Sequence, residues 1–111
     1  MGAITPIGTG KEAFWNAMME GKNGIGRITR FDPDGFHAQI AGEVKDFDPT
    51  DYIDKKESKR MDRYTQFAVA TAGMAIKDAG LDLEKEDRER IGTYVGTGIG
   101  GIETMHSQYE K

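Results

Sequence analysis

Cysteine is absent from the 111 residues. A disulfide framework, thiolate zinc sites and a cysteine nucleophile are therefore excluded within this stretch. Bulky core formers are scarce too. Leu, Ile, Val and Phe together supply 20 residues, while glycine supplies 15. That is about double the usual glycine share of ~7%. A chain of this size must bury about two thirds of its extended surface to be stable alone. With so few large side chains, we expect the core to be completed from outside these residues. No apolar run approaches the roughly 18 residues of a membrane span. No basic region followed by an apolar stretch opens the chain, so we expect no signal peptide and a cytoplasmic setting. Met1-Gly2 opens like a myristoylation signal, but Pro6 stands where that motif requires Ser or Thr.

Charge is plentiful and balanced towards the acidic. The formal net charge is −4, which argues against nucleic acid as a partner by bulk electrostatics.

The chain opens as a strand end running into a turn at Met1–Gly10, since Thr5 precedes Pro6. Thr9 and Glu12 have the spacing of a capping box. Phe14, Ala17 and Met18 follow at helical period, and Gly21 is a natural stop. Residues 22–36 read as a glycine- and charge-rich loop, and 38–44 as a short strand. Asp48-Pro49 is a helix start, with the carboxylate as cap and proline in the first position. From Lys55 to Ala79 the spacing predicts one long helix with a break near Asp62. Tyr64, Phe67, Ala68, Ala72, Ala75, Ile76 and Ala79 make its apolar stripe, and Gly80 closes it. Its small side chains suggest deep burial. Residues 82–90 form a charged link, 91–95 a strand, 96–101 a glycine loop, and 102–111 the opening of another helix. Alternating helices and strands indicate an α/β layer structure. The last helix has no C-cap and the first strand begins late, so we expect both ends to be cut.

Gly96-Thr97-Gly98-Ile99-Gly100-Gly101 matches the dinucleotide fingerprint G-x-G-x-x-G between a strand and a helix. The plainer alternative is a tight turn that needs glycine for close backbone approach. Isoleucine at the tip of such a turn should sit against something apolar. Lys56, Lys59, Arg60 and Arg63 fall at steps of three and four, on one helical face. Cations at a helix start oppose the macrodipole, which suggests a task such as docking an acidic partner or a phosphate. The alternative is a solvated face partly neutralised by Glu57 and Asp62. His37 and His106 lack metal-ligand spacing. Asp32, Asp34, Asp46 and Asp48 lack the calcium-loop pattern. Ser58 and Ser107 stand in no nucleophile-elbow motif. We find no catalytic set, metal site or cofactor site in the residues present.

Taken in order, the motifs resemble a family. They are Met1-Gly-Ala-Ile-Thr-Pro-Ile-Gly8, Phe14-Trp15, Gly21-Lys-Asn-Gly-Ile-Gly26, Arg30-Phe-Asp32, Ala41-Gly-Glu-Val-Lys-Asp-Phe-Asp48, Lys55-Lys-Glu57, Arg60-Met-Asp-Arg63, Asp78-Ala-Gly-Leu81 and Gly96-Thr-Gly-Ile-Gly-Gly101. Their order and spacing resemble the amino-terminal part of the bacterial β-ketoacyl-acyl-carrier-protein synthases of the second type. These are condensing enzymes of fatty acid elongation.

The resemblance implies a share of the first half of a thiolase-like, five-layered α/β/α/β/α fold, with residues 1–111 as a partial ketosynthase domain. It implies a homodimer, acyl- and malonyl-loaded carrier protein as partners, and no cofactor. The reaction would be a decarboxylative Claisen condensation on an acyl-cysteine. The family's cysteine and two histidines match nothing here, so the stretch alone should be inactive. Lys56, Lys59 and Arg60 match the basic patch offered to the acidic carrier, and Ile99 matches a residue lining the acyl tunnel. Arg63 belongs to the patch less clearly. A polyketide-type relative, a stand-alone carrier-binding module and a small nucleotide-binding domain are the alternatives.

Overall fold

The computed structural model describes residues 1–110. The chain divides into two units, one of Ala3–Phe47 and one of Met1–Gly2 with Asp48 onward.

In the Ala3–Phe47 unit, strands β1 (Ile4–Thr5) and β2 (Gly8–Thr9) pair antiparallel, with Ile4 opposite Thr9. The Thr5 hydroxyl donates to the Gly8 carbonyl at 2.9 Å and accepts from the Ile7 amide at 3.3 Å, which closes the turn over Pro6. Helix α1 (Lys11–Met19) follows and buries Ala17. The expected capping box does not form. The N-cap is Gly10, at φ 90°, with no side-chain cap bond. Thr9 already belongs to β2, and its hydroxyl donates to the Asp46 carbonyl at 2.9 Å. Gly21, at φ 67°, ends the helix as expected.

Residues 22–36 are not all loop. Strand β3 (Ile25–Arg27) lies inside them and pairs antiparallel with β4 (Ile40–Gly42), Gly26 facing Ala41. The Glu43 carboxylate accepts from the Thr29 amide at 3.0 Å, the Thr29 hydroxyl at 2.7 Å and the Arg30 amide at 3.2 Å. These bonds extend the hairpin's hold beyond its three-residue ladder.

In the second unit, Asp48 caps a 3-10 turn at Pro49–Asp51 by accepting from the Thr50 amide at 2.9 Å. The long helix expected over 55–79 is two helices, α2 (Lys55–Ser58) and α3 (Arg63–Ala79), with the break at residues 59–62. Gly80 ends α3 in the left-handed region, at φ 64°, and the Leu81 amide donates back to the Ile76 carbonyl at 3.2 Å. The last helix is α4 (Ile102–Tyr109); Lys111, the end of the expected helix, lies outside the described residues.

Two expectations fail here. Residues 91–95 form no strand, because no ladder among the described residues takes up their backbone groups. Helix α3 is not deeply buried either. Ala70 is its only buried residue among those described, and Tyr64 and Ala72 are exposed. The buried apolar side chains among the described residues are Ala17, Ile53 and Ala70, whereas Tyr94 is 98% exposed. The thin core foreseen from composition is what the structure contains. No helix among the described residues is long and apolar enough to cross a membrane.

Candidate functional site

The features singled out in the sequence gather around the amino-terminal end of α3. The approach begins at Asp54. Its carboxylate caps α2 by accepting from the Lys56 amide at 2.8 Å and the Glu57 amide at 3.3 Å. Ser58 is buried and donates to the Lys55 carbonyl at 3.1 Å. The Gln66 amide nitrogen, on the first turns of α3, donates to the Ser58 carbonyl at 2.9 Å. One turn of helix is far too short to hold itself together. Here a cap at one end and Gln66 at the other fix it.

That fixed turn presents Lys55, Lys56, Lys59 and Arg60 to solvent, where with Asp54 they line an open hollow of about 490 Å³. Lys56, Lys59 and Arg60 take part in no ion pair among the described residues. Lys55 is within electrostatic reach of Asp48, whose own carboxyl is held below its ordinary value by the Thr50 hydroxyl and then the Thr50 amide. The helix break alters one inference. Lys59 and Arg60 follow the carboxyl end of α2, a placement that favours positive charge, and of these cations Arg63 alone stands within α3, in its first turn. Arg63 is separate from the group, with its guanidinium over the Phe67 ring.

The glycine turn packs on the same end of α3. A Cβ on Gly100 would stand 2.7 Å from the Tyr64 ring, and one on Gly101 would stand 2.9 Å from the Asp62 carboxylate. Gly101 also has φ 80°. By contrast, Gly96 and Gly98 have open space about them. The turn thus uses two of its four glycines for close approach to α3. The strand that a dinucleotide fingerprint requires before it is missing. Ile99 at the tip is 76% exposed, so no apolar neighbour buries it in these residues. Beside the turn, an open groove of about 530 Å³ runs along α3, lined by Phe67, Ala68, Thr71, Ala75, Tyr94 and Thr97 among others.

Sequence reasoning missed the Gln66 brace and a second tie at Asp62, which it read only as the place of a helix break and as a partial neutraliser of the basic face. The Asp62 side chain makes no cap bond and instead accepts from the Thr104 hydroxyl. The partners lie 42 positions apart, so no local pattern could have found them. The histidines join no site. His106 faces Glu110 one turn on at 3.5 Å, and His37 is exposed. Among the described residues no group of His, Asp or Glu could hold a metal ion.

Comparison with known proteins agrees with this arrangement of motifs. The family model "Beta-ketoacyl synthase, N-terminal domain" matches residues 1–111. The 3-oxoacyl-[acyl-carrier-protein] synthase 2 of Synechocystis sp. is 49% identical over 108 residues, which cover 97% of this chain and 26% of that protein. The protein of the same name from Staphylococcus aureus is 45% identical over 111 residues, covering all of this chain and 28% of its own length. The chain spans about a quarter of the length of the curated relatives it matches. Among solved structures, "The ishigamide ketosynthase/chain length factor" superimposes with a TM-score of 0.66 at 43% identity, over 75% of this chain and 21% of that one.

Proposed function

The chain belongs to the β-ketoacyl synthase family, and from that premise we propose that it forms the amino-terminal part of a 3-oxoacyl-acyl-carrier-protein synthase of fatty acid elongation. The complete protein would be a homodimer of the thiolase-like, five-layered fold, working in the cytoplasm. It would condense an acyl thioester with malonyl-carrier protein. The acyl group passes from the carrier's thiol to an enzyme cysteine. The malonyl thioester loses carbon dioxide, and the resulting carbanion attacks the acyl carbonyl and expels the cysteine thiolate. The nucleophile and the catalytic histidines would come from beyond these residues.

This stretch would supply two things. Lys56, Lys59 and Arg60 would meet the acidic carrier protein, steering encounter and register more than adding raw affinity. Ile99 would border the acyl chain. The observation that carries the proposal is the family match combined with one placement: an exposed, unpaired basic face and the Ile99 turn are both fastened to the first turns of α3. With these roles, the docking surface would lie near the residue that borders the tethered chain.

The test is condensation of acyl- with malonyl-carrier protein by the complete protein, with product length followed by mass spectrometry. Ketoacyl product is expected, and Ile99→Phe should shift the preferred acyl chain to shorter lengths. No product from either loaded carrier would defeat the proposal. The match to a ketosynthase/chain length factor favours a second reading, a polyketide-type ketosynthase. Repeated condensation on a retained β-keto chain, without reduction, would select it.

A further inference from the structure

We propose that Asp62 is a positioning residue for the turn that carries Ile99, acting as a clasp through Thr104; this rests on Ile99 bordering the acyl chain. Asp62 occupies the N-cap position of α3, with extended backbone at φ −61° and ψ 154°. An aspartate there ordinarily accepts from the helix's own first amides, worth typically ~1 kcal/mol. This one forgoes that bond and spends its carboxylate across the unit. One oxygen accepts from the Thr104 hydroxyl. The other stands against the backbone of Gly101, where an added Cβ would come within 2.9 Å.

The residues on either side show what the clasp holds and what holds the clasp. Residues 59–62 are braced by Gln66, whose side-chain nitrogen donates to the carbonyls of Ser58 at 2.9 Å and Met61 at 3.5 Å. Upstream of Ile99, residues 91–97 belong to no ladder among the described residues. Downstream, the Asp62 carboxylate holds Thr104 by a hydrogen bond and packs close to Gly101, and Tyr64 abuts Gly100. The carboxyl side of Ile99 is therefore fastened to the residues that open α3. Only Met61 separates Asp62 from the basic pair Lys59 and Arg60, so the same short link joins the proposed docking face and the turn.

The prediction concerns selectivity, not chemistry. In the complete protein, Asp62→Ala and Thr104→Val should each lower the ratio of kcat/KM between preferred and longer acyl chains about threefold, the lower end of the net worth of one hydrogen bond. Carrier affinity should stay unchanged. Thr104→Ser retains the hydroxyl and should retain the wild-type profile, and the Asp62→Ala/Thr104→Val double variant should be no worse than either single. Thr104→Val serves if Asp62→Ala fails to fold. Wild-type chain-length profiles for both single variants, alongside a shifted profile for Ile99→Phe, would overturn the clasp and leave the acyl role of Ile99 standing. An unshifted Ile99→Phe together with unshifted clasp variants would remove both.

Discussion

The guanidinium of Arg63 lies over the ring of Phe67, 4.9 Å from its centre. The two residues are one helical turn apart, which is the spacing at which side chains on a helix meet. The contact takes Arg63 out of the basic group that precedes it, although sequence spacing places all four cations on one face. Arg63→Ala should therefore act on the fold more than on recognition. We expect a loss of about 0.5–1 kcal/mol, the range of a cation–π pair near the surface, read as a lowered melting midpoint of the complete protein. Affinity for carrier protein should stay within about twofold of wild type. A large loss of carrier affinity would return Arg63 to the patch.

Lys59 and Arg60 should behave in the opposite way. Both are exposed and take part in no ion pair among the described residues, so reversing their charge breaks no ion pair there. Lys59→Glu with Arg60→Glu should leave the melting midpoint nearly unchanged. Binding of acyl carrier protein should weaken about tenfold at low salt. The gap should narrow as salt screens the encounter, because the Debye length falls to about 3 Å at 1 M. Titration calorimetry at two ionic strengths reads both effects. Equal affinities at low salt would remove the docking role from this face.

The glycine turn offers a contrast within one motif. Gly100→Ala forces a methyl group to within 2.7 Å of the Tyr64 ring. Overpacking of this kind costs roughly 1–3 kcal/mol. Gly98→Ala meets open space in these residues and has no positive φ. It should cost far less, and Gly96→Ala likewise. If the loop instead cradled a pyrophosphate on its backbone, Gly96 and Gly98 would be the sensitive positions. Thermal melts of the three variants, with a titration of NAD beside them, separate the two cases.

How much of this was readable beforehand follows from the range of each interaction. Asp48-Pro49 as a cap, Gly80 as a stop and a break near Asp62 were legible because each depends on a few neighbouring residues. Strand β3 was not, since Ile25–Arg27 is short, contains glycine and exists only through Ile40–Gly42. Thr9 had the right spacing for a capping box, but β2 and the Asp46 carbonyl use it first. Residues 91–95 have the composition of a strand, yet a strand needs a neighbour, and none is present among the described residues. At the site, the chemistry of Lys56, Lys59, Arg60 and Ile99 was visible as residue types in order. What fastens them was not. The Gln66 brace spans 8 residues and the Asp62 clasp spans 42.

Glu43 gives the Ala3–Phe47 unit a dependence on acid. The Thr29 amide, then the Thr29 hydroxyl and the Arg30 amide, hold its carboxyl below the ordinary value of 4.5, with Lys45 adding to the effect. A carboxyl whose value is lower folded than unfolded contributes stability that is fully present above its unfolded value. The contribution fades as pH falls through the lowered folded value. Protection of the Thr29 and Arg30 amides against hydrogen exchange should therefore be unchanged from neutral pH down to the ordinary carboxylate range. Below that range it should decline relative to the β3–β4 ladder amides. Glu43→Gln keeps an acceptor but not the charge. It should lower protection at neutral pH and remove the acid-dependent step, with no change in carrier binding. An acid-dependent step that persists in Glu43→Gln would assign the effect to another carboxyl.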